Sequence, residues 1–299
     1  MFPVENFRIA AVQCNSPVRT DESRNLSIAE HFVKLASENG ADLAVFPEVN
    51  LSGSAVNPED VRASASPLNG KLVEKAVEIS GEYGIYCVFG MYERSDRDIY
   101  NTSFIAGKGR LIGFYRKVHI PPREIGLFTP GSEFRVFTLP FARVGISICY
   151  DNEFAESHNC LALEGAEVIA MPTGWADHWE REDYIEPCLT DEEVVAERER
   201  WMRMMFGARC RDTGAYSALA NSAGTEAGGP WRFVGKSMIF SPSGKALSEA
   251  SAWKEDIIYA DLKADLLEKY RKMDAFTLNA RRPVAYGPLL KSAISEDVR

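Results

Sequence analysis

The chain has 299 residues, 45% hydrophobic and 26% charged, an ordinary globular composition with length enough for a large core. Its formal net charge of −9 argues against broad binding to nucleic acid or anionic membranes. No run approaches the roughly 18 apolar residues of a membrane span, and Met1–Arg8 lacks a basic-then-apolar signal pattern, so a cytoplasmic protein is expected.

Strand and helix signals alternate along the chain. Phe7–Gln13 is rich in β-branched and small apolar residues and reads as a strand. Asp21–Asn39 has helical periodicity, with Leu26, Ala29, Phe32, Val33, Leu35 and Ala36 on one broad face and a stop at Gly40. Asp42–Phe46 is a short apolar strand, Leu72–Tyr83 a second amphipathic helix stopped by Gly84, and Ile85–Gly90 another strand. Tyr100–Ala106 and Leu111–Arg116 bracket Gly107-Lys108-Gly109 as a hairpin. Val144–Ile148 reads as a strand, Asn159–Gly165 as a helix and Val168–Met171 as the next strand. The stretch from Asp177 is acidic and aromatic, then helical through Glu192–Arg209. Ala215–Asn221, Gly235–Ser241 and Ile257–Asp261 return to strands, and Leu262–Met273 reads as a helix. The tail Asp274–Arg299 carries turn residues and little periodicity. This order fits one α/β domain with mixed sheets.

Cys14, Cys87, Cys149, Cys160, Cys188 and Cys210 contain no C-x-x-C pair, and His31, His119, His158 and His178 are scattered, so neither a disulfide framework nor a zinc site is indicated. Cys14 and Cys87 belong to apolar strands and read as core. Cys188 reads as surface or pocket lining, His119 as structural, and His178 as a weak pocket candidate.

Three places carry candidate chemistry. Cys149 ends the strand Val144–Ile148 and precedes an acidic, helix-starting segment, where backbone N–H groups favour a thiolate and an oxyanion. Glu48 follows the buried strand ending at Pro47, at the carboxyl end where α/β folds place ligand chemistry; a solvated loop acid is the equal alternative. Lys117 ends a hairpin strand just before Pro121-Pro122, and alone it reads as a surface lysine.

Together these residues resemble the carbon–nitrogen hydrolase (nitrilase) superfamily, in its amidase/carbamoylase-like branch. The resemblance is carried by Phe46-Pro47-Glu48, by Tyr115-Arg116-Lys117 with His119-Ile120-Pro121, and by Gly145–Asp151 with Phe154 and Glu156. Ala11-Val12-Gln13, Gly165–Pro172, Arg209 and Ala220–Gly224 extend it, so that it covers roughly residues 7 to 262 in the right order. It implies a four-layer α-β-β-α sandwich with two mixed β-sheets, spanning 1–273, and a C-terminal arm, 274–299, at an oligomer interface. A homodimer or higher homo-oligomer would bury the apolar residues Val284, Tyr286, Leu289, Leu290 and Ile294.

The resemblance also implies a Glu–Lys–Cys triad. Glu48 is the general base, Cys149 the nucleophile, and Lys117 with the backbone N–H of Tyr150 the oxyanion donors. Many family members add a second glutamate between lysine and cysteine; Glu124 fits, with Glu133 as the near competitor and Arg116 or Arg123 as alternative charge partners. The implied reaction hydrolyses a non-peptide C–N bond of an amide or N-carbamoyl substrate through a thioester, releasing ammonia. It requires no metal or organic cofactor. Small amides, carbamoyl compounds or nitriles are the expected partners. An N-carbamoyl amine or amino acid amidohydrolase and a nitrilase proper are the alternatives, followed by a non-catalytic binding module of the same fold. A redox protein pairing Cys149 with Cys160 is a further competitor.

Glu153 stands where family members acting on carboxylates often carry arginine, which weakens a carboxylate-bearing substrate; capping of the following helix is the equal alternative. Trp175 and Trp179 are expected to wall the pocket, Asp177 and Glu180 to favour a neutral or cationic substrate, and Asn221 to join the substrate-binding residues.

Overall fold

The computed structural model describes residues 4–18, 22–55, 57–183, 186–225, 232–274 and 276–291. The first half of the chain forms β1 (Phe7–Gln13), α1 (Glu22–Glu38), β2 (Leu43–Val45), α2 (Pro58–Ser64), α3 (Lys71–Glu82), β3 (Tyr86–Ser95), β4 (Asp98–Gly107), β5 (Arg110–Arg116), β6 (Val136–Thr138) and β7 (Arg143–Ile146). The second half forms α4 (Ala155–Leu163), β8 (Val168–Thr173), α5 (Asp191–Thr213), β9 (Tyr216–Asn221), β10 (Ala223–Thr225), β11 (Arg232–Val234), β12 (Met238–Phe240), β13 (Ala246–Glu249), β14 (Asp256–Leu262) and α6 (Ala264–Arg271).

The strands build two six-stranded mixed sheets, ordered β14-β1-β2-β3-β4-β5 and β13-β12-β9-β8-β7-β6. In each, the parallel strands lie inside and antiparallel strands flank them: β1, β2 and β3 are parallel, as are β7, β8 and β9. Period-two alternation decides what each side chain covers. Ile9 and Ala11 of β1 join Leu43 and Val45 of β2 in a core between the sheets, with Val144, Ile146, Val168 and Ala170. Ala10, Val12 and Ala44 point the other way, against Leu26, Phe32 and Val33 of α1 and Leu72 and Ala76 of α3. On the outer face of the second sheet, Ile169 and Met171 meet Met202, Phe206 and Cys210 of α5 and Leu161 of α4. The result is the four-layer α-β-β-α sandwich. Strands covered on both faces must be apolar throughout, which is why β8 is buried along its whole length.

The indicated strands and helices are present, with shifted ends. The strand expected to reach Ile148 closes at Ile146, although Ser147 still donates to Ala170 O at 3.0 Å. The helix expected straight after Cys149 is a five-residue 3-10 turn, Cys149–Glu153; α4 starts at Ala155, four residues before the expected Asn159. The short elements α2, β6, β10, β11 and β13 lie outside the sequence reading. Of these, α2 carries a local signature: Asn57 Oδ1 accepts from Asp60 N at 2.9 Å, with Pro58 opening the helix. The expected C-terminal arm forms 3-10 turns at Thr277–Ala280, Pro283–Ala285 and Gly287–Leu290; Ile294 lies outside the described residues. Among the described residues, no helix is long and apolar enough to cross a membrane.

His158 sits fully buried on α4 beneath the second sheet. Asn152 Nδ2 donates to Ser147 O at 3.3 Å, so Asn152 Oδ1 is the acceptor for His158 Nε2 at 3.1 Å. Burial, seconded by Arg209, pushes the imidazole down to about 3. The unfolded chain takes that proton near pH ~6.5 while the folded chain does not, so stability falls from that pH down to the folded value. His158→Gln is expected to lower stability near neutrality. It should also remove about 2 kcal/mol of the loss between about pH 7 and about pH 5. Urea unfolding at several pH values checks this, and an unchanged pH slope refutes it.

Candidate active site

The site lies where both sheets present the carboxyl ends of their parallel strands. β2 runs through Phe46-Pro47 to Glu48, and Glu48 N donates to Thr173 O at the end of β8 at 3.3 Å, which ties the two sheets together. The next residue, Val49, has φ +48, a left-handed conformation that strains a β-branched side chain. The turn fits because Gly90 of β3 has no side chain: a Cβ there would come 2.5 Å from Val49 N. Asn50 Oδ1 then accepts from Gly90 N at 2.8 Å. On the second sheet, Cys149 follows β7 at φ +46, a second strained non-glycine turn.

Lys117 continues β5 into this space and is fully buried. Its Nζ lies 2.7 Å from Glu48 Oε1 and 3.3 Å from Glu124 Oε2, the latter carried on the 3-10 turn Pro122–Glu124. Burial opposes its charge, but Glu124, Glu48 and Cys149 outweigh that and hold the ammonium well above its ordinary value. Cys149 is buried and within electrostatic reach of the same groups. Burial and then the charge of Glu48 push its thiol well up, while Lys117 and the backbone N–H of Gly174 oppose this. The resting cysteine is therefore a thiol that needs an acceptor for its proton. Glu48 Oε1 also accepts from Asn101 Nδ2 at 2.8 Å, and its Oε2 lies beside Gly174.

Asp151 braces this arrangement from below. It is fully buried two residues after Cys149. Its Oδ2 accepts from Tyr115 Oη at 2.7 Å and from Ile148 N at 3.2 Å; its Oδ1 accepts from His119 N at 2.8 Å and lies 2.9 Å from His119 Nδ1. Tyr115 and His119 flank Lys117, and Ile148 precedes Cys149, so one carboxylate joins the lysine strand to the cysteine turn. His119 also stacks on Phe154 at 3.8 Å between ring centroids.

The remaining expected residues sort by their partners. Glu124, not Glu133, meets Lys117; Glu133 pairs with Arg135 at 3.5 Å on the surface, and Arg116 is bound to Glu93. Tyr150 is half-buried with its ring against Phe154. Glu153 is half-buried; burial raises its carboxyl to about 7 despite Arg198 and Arg209. It does not cap α4, whose N-cap is Phe154.

Trp175 stacks on Phe206 at 5.5 Å and meets Trp201 edge-on at 4.9 Å, whereas Trp179 is 41% exposed. Asp177 is paired with Arg181 at 2.9 Å and with Arg232 at 3.5 Å, and Glu180 with the buried Arg198 at 2.7 Å. Both carboxylates are therefore paired with arginines of the protein. Asn221 donates to Gly235 O at 2.8 Å and accepts from Trp175 N at 2.9 Å, which uses both ends of its amide to hold the loop after β8. Both ends of its amide are therefore engaged by the protein. Cys14, Cys87 and Cys210 are core, Cys188 and His178 are half-buried, and Cys160 is exposed while Cys149 is buried. Among the described residues, no group of three or more His, Cys, Asp or Glu side chains gathers for a metal.

A sequence model of the carbon-nitrogen hydrolase family matches residues 8–272. A nitrilase of Pyrococcus abyssi is 33% identical over 270 residues, covering 89% of this chain and 94% of its own. An N-carbamoylputrescine amidase of Arabidopsis thaliana is 28% identical over 284 residues, covering 90% and 91%. The crystal structure of a carbon-nitrogen hydrolase from Helicobacter pylori superposes with a TM-score of 0.81 over 97% of this chain and all of its own, at 22% identity. The chain belongs to the carbon-nitrogen hydrolase family of the nitrilase superfamily.

The Asp151 brace gives a stability prediction. Tyr115→Phe removes one donor from a fully buried carboxylate and leaves the ring volume intact, so a loss of about 2 kcal/mol is expected. The urea midpoint should fall with an unchanged m value; a midpoint equal to wild type refutes the brace.

Proposed function

We propose that this carbon–nitrogen hydrolase cleaves small amides or N-carbamoyl compounds through a thioester on Cys149, with Glu48, Lys117 and Glu124 as its working groups. The observation that carries this reading is Lys117 Nζ, fully buried between Glu48 and Glu124 and within electrostatic reach of the Cys149 thiol. A buried ammonium tolerates that position because carboxylates flank it. A fixed positive charge beside a nucleophile is what an oxyanion requires.

In this mechanism Glu48 takes the Sγ proton as Cys149 attacks the carbonyl carbon. The tetrahedral oxyanion is held by the Lys117 ammonium and the backbone N–H of Tyr150. Glu48 returns the proton to the leaving nitrogen, and ammonia departs as the C–N bond breaks. Water then loses a proton to Glu48 and attacks the thioester. The acid leaves, and the proton returns to the thiolate. An N-carbamoyl substrate attacked at its ureido carbon gives ammonia, carbon dioxide and an amine. Glu124 keeps the ammonium paired while Glu48 carries its proton, so Lys117 stays charged throughout the cycle.

The four residues after Cys149 are Tyr150, Asp151, Asn152 and Glu153, and they offer no guanidinium to a substrate carboxylate. Uncharged amides and N-carbamoyl amines are therefore favoured over N-carbamoyl amino acids. The likeness to an N-carbamoylputrescine amidase supports the carbamoyl part of this reading.

The test is ammonia release from aliphatic and aromatic amides, N-carbamoyl amines, N-carbamoyl amino acids and nitriles. Wild type is expected to prefer amides or N-carbamoyl amines. Cys149→Ala is expected to lose more than about a thousandfold in rate. A strong preference for nitriles, or a Cys149→Ala protein that still hydrolyses amides, overturns the reading.

We also propose self-association through the arm, where Val284 and Leu290 remain 87% and 90% exposed. Sedimentation velocity at micromolar concentration is expected to show a dimer or larger assembly, and a monomer sinks this part.

A further inference from the structure

Asn101 lies on β4 at the edge of the site and is buried. Nothing in its local sequence marks it, since it opens a run of small polar and apolar residues in the hairpin. The structure gives it contacts to both members of the central ion pair. Its backbone oxygen accepts from Lys117 N at 2.8 Å, and its Nδ2 donates to Glu48 Oε1 at 2.8 Å. The orientation of the amide follows from chemistry, because an ionised carboxylate offers only acceptors and the NH2 end must face it. The next residue, Thr102, points to the opposite face and donates to Glu93 Oε2 at 2.7 Å, within the separate Glu93–Arg116 pair. Asn101 therefore does not belong to that outer network.

We infer that Asn101 is a positioning residue that fixes which oxygen of Glu48 receives the cysteine proton. The inference rests on the proposed role of Glu48 as base. Oε1 is occupied by two donors, Asn101 Nδ2 at 2.8 Å and Lys117 Nζ at 2.7 Å. A proton landing there would have to displace one of them. Oε2 lies on the other side, beside Gly174, whose backbone N–H reaches Cys149. The occupied oxygen faces the lysine and the other faces Gly174, the residue whose N–H reaches the cysteine. Lys117 alone would leave the carboxyl free to rotate about its own axis; a second donor from a different strand fixes the plane. Asn101 accepts a cost for this place: its Oδ1 is buried without a hydrogen-bond partner among the described residues. An apolar side chain would fill the strand without that cost, so the side chain's purpose lies at its other end.

Asn101 acts by favouring the charged, aimed form of the carboxylate. The charged and titratable groups facing Glu48 are Lys117, Cys149, Glu124 and Tyr92. All four remain, and no charge is added, when Asn101 becomes apolar, so a shift in pH dependence then belongs to the lost donor.

The test uses Asn101→Leu, which removes the donor at similar volume, and Asn101→Asp, which keeps the shape and adds a second carboxylate. Two readouts are taken on folded protein: the pH profile of kcat/KM on the best substrate, and the pH dependence of Cys149 alkylation by iodoacetamide, followed by mass spectrometry. Asn101→Leu is expected to move the acid limb of kcat/KM upward by about one unit, a loss of about tenfold below the limb that fades above it, carried by kcat with KM nearly unchanged. Asn101→Asp is expected to move it further in the same direction, as two carboxylates at this distance compete for a proton. The alkylation profile should shift in parallel, because it depends on the same acceptor.

A uniform loss at every pH with unmoved limbs would mean simple packing and overturns the inference. So does an alkylation profile that superimposes on wild type. If wild type hydrolyses nothing in the panel, the functional reading fails by itself, and the alkylation profiles still decide the role of Asn101. If Asn101→Leu does not fold, the smaller Asn101→Ala, which removes the donor and adds no charge, carries both readouts.

Discussion

One buried charge governs this structure. Lys117 Nζ is sealed from solvent, 2.7 Å from Glu48 and 3.3 Å from Glu124. Removing an ammonium from water costs several kcal/mol unless opposite charge and hydrogen bonds replace its hydration. The fold supplies that replacement from two separate elements, Glu48 in the loop after β2 and Glu124 in the turn after the hairpin, while Asn101, from the strand beside the lysine, holds Glu48. No short peptide could assemble this cluster, so the geometry of both sheets is tied to it. The tie is visible in the Glu48 N–Thr173 O bond, which pins a loop of the first sheet to the end of a strand of the second.

The two strained turns follow from the same requirement. Val49 at φ +48 and Cys149 at φ +46 are each held in a conformation that costs of order 1–3 kcal/mol. Each is over-determined by its surroundings. Gly90 makes room for the first, and Asn50 closes it with a hydrogen bond. Asp151 holds the second through Ile148, Tyr115 and His119. A carboxylate with that many donors is a rigid joint, and it links the strand bearing the lysine to the turn bearing the cysteine. The buried cysteine is held as a thiol and the buried lysine as an ammonium, by the balance of burial and charge at each. The opposite outcomes arise because carboxylates favour the lysine's charge and oppose the cysteine's.

Much of this was legible in the chain, and the limits have physical causes. Glu48, Lys117 and Cys149 each follow, within three residues, a strand that alternation and β-branched content reveal, so their common location beyond strand ends can be anticipated without a contact map. Glu124 lies within seven residues of Lys117, close enough for a local reading. Asn101 was not legible, because its partner is 53 residues away and its own strand looks ordinary. The partners of Asp177 and Asn221 were not legible for the same reason. A sequence shows that a residue is polar but not that its partner waits elsewhere: Arg232 lies 55 residues from Asp177, and Trp175 lies 46 from Asn221. The end of β7 was misjudged because Ser147 still bonds to Ala170 O and Ile148 stays extended and buried beyond the last strand residue.

The charges that remain after pairing bear on what the site can hold. Asp177 and Glu180 meet arginines inside the protein, so they contribute little field at the reacting centre. What is left around Cys149 is one ammonium and the two carboxylates that flank it. That excess of negative charge is unfavourable to an anionic substrate and neutral toward an uncharged amide. It also acts on the product. Hydrolysis turns a neutral acyl group into a carboxylate in a site that already holds two, and repulsion in a poorly hydrated space favours its departure. Under the proposed chemistry the arrangement that generates the nucleophile therefore also clears the site. On that proposal, the same carboxylates that keep Lys117 charged through the cycle bias the site toward neutral substrates entering and acids leaving.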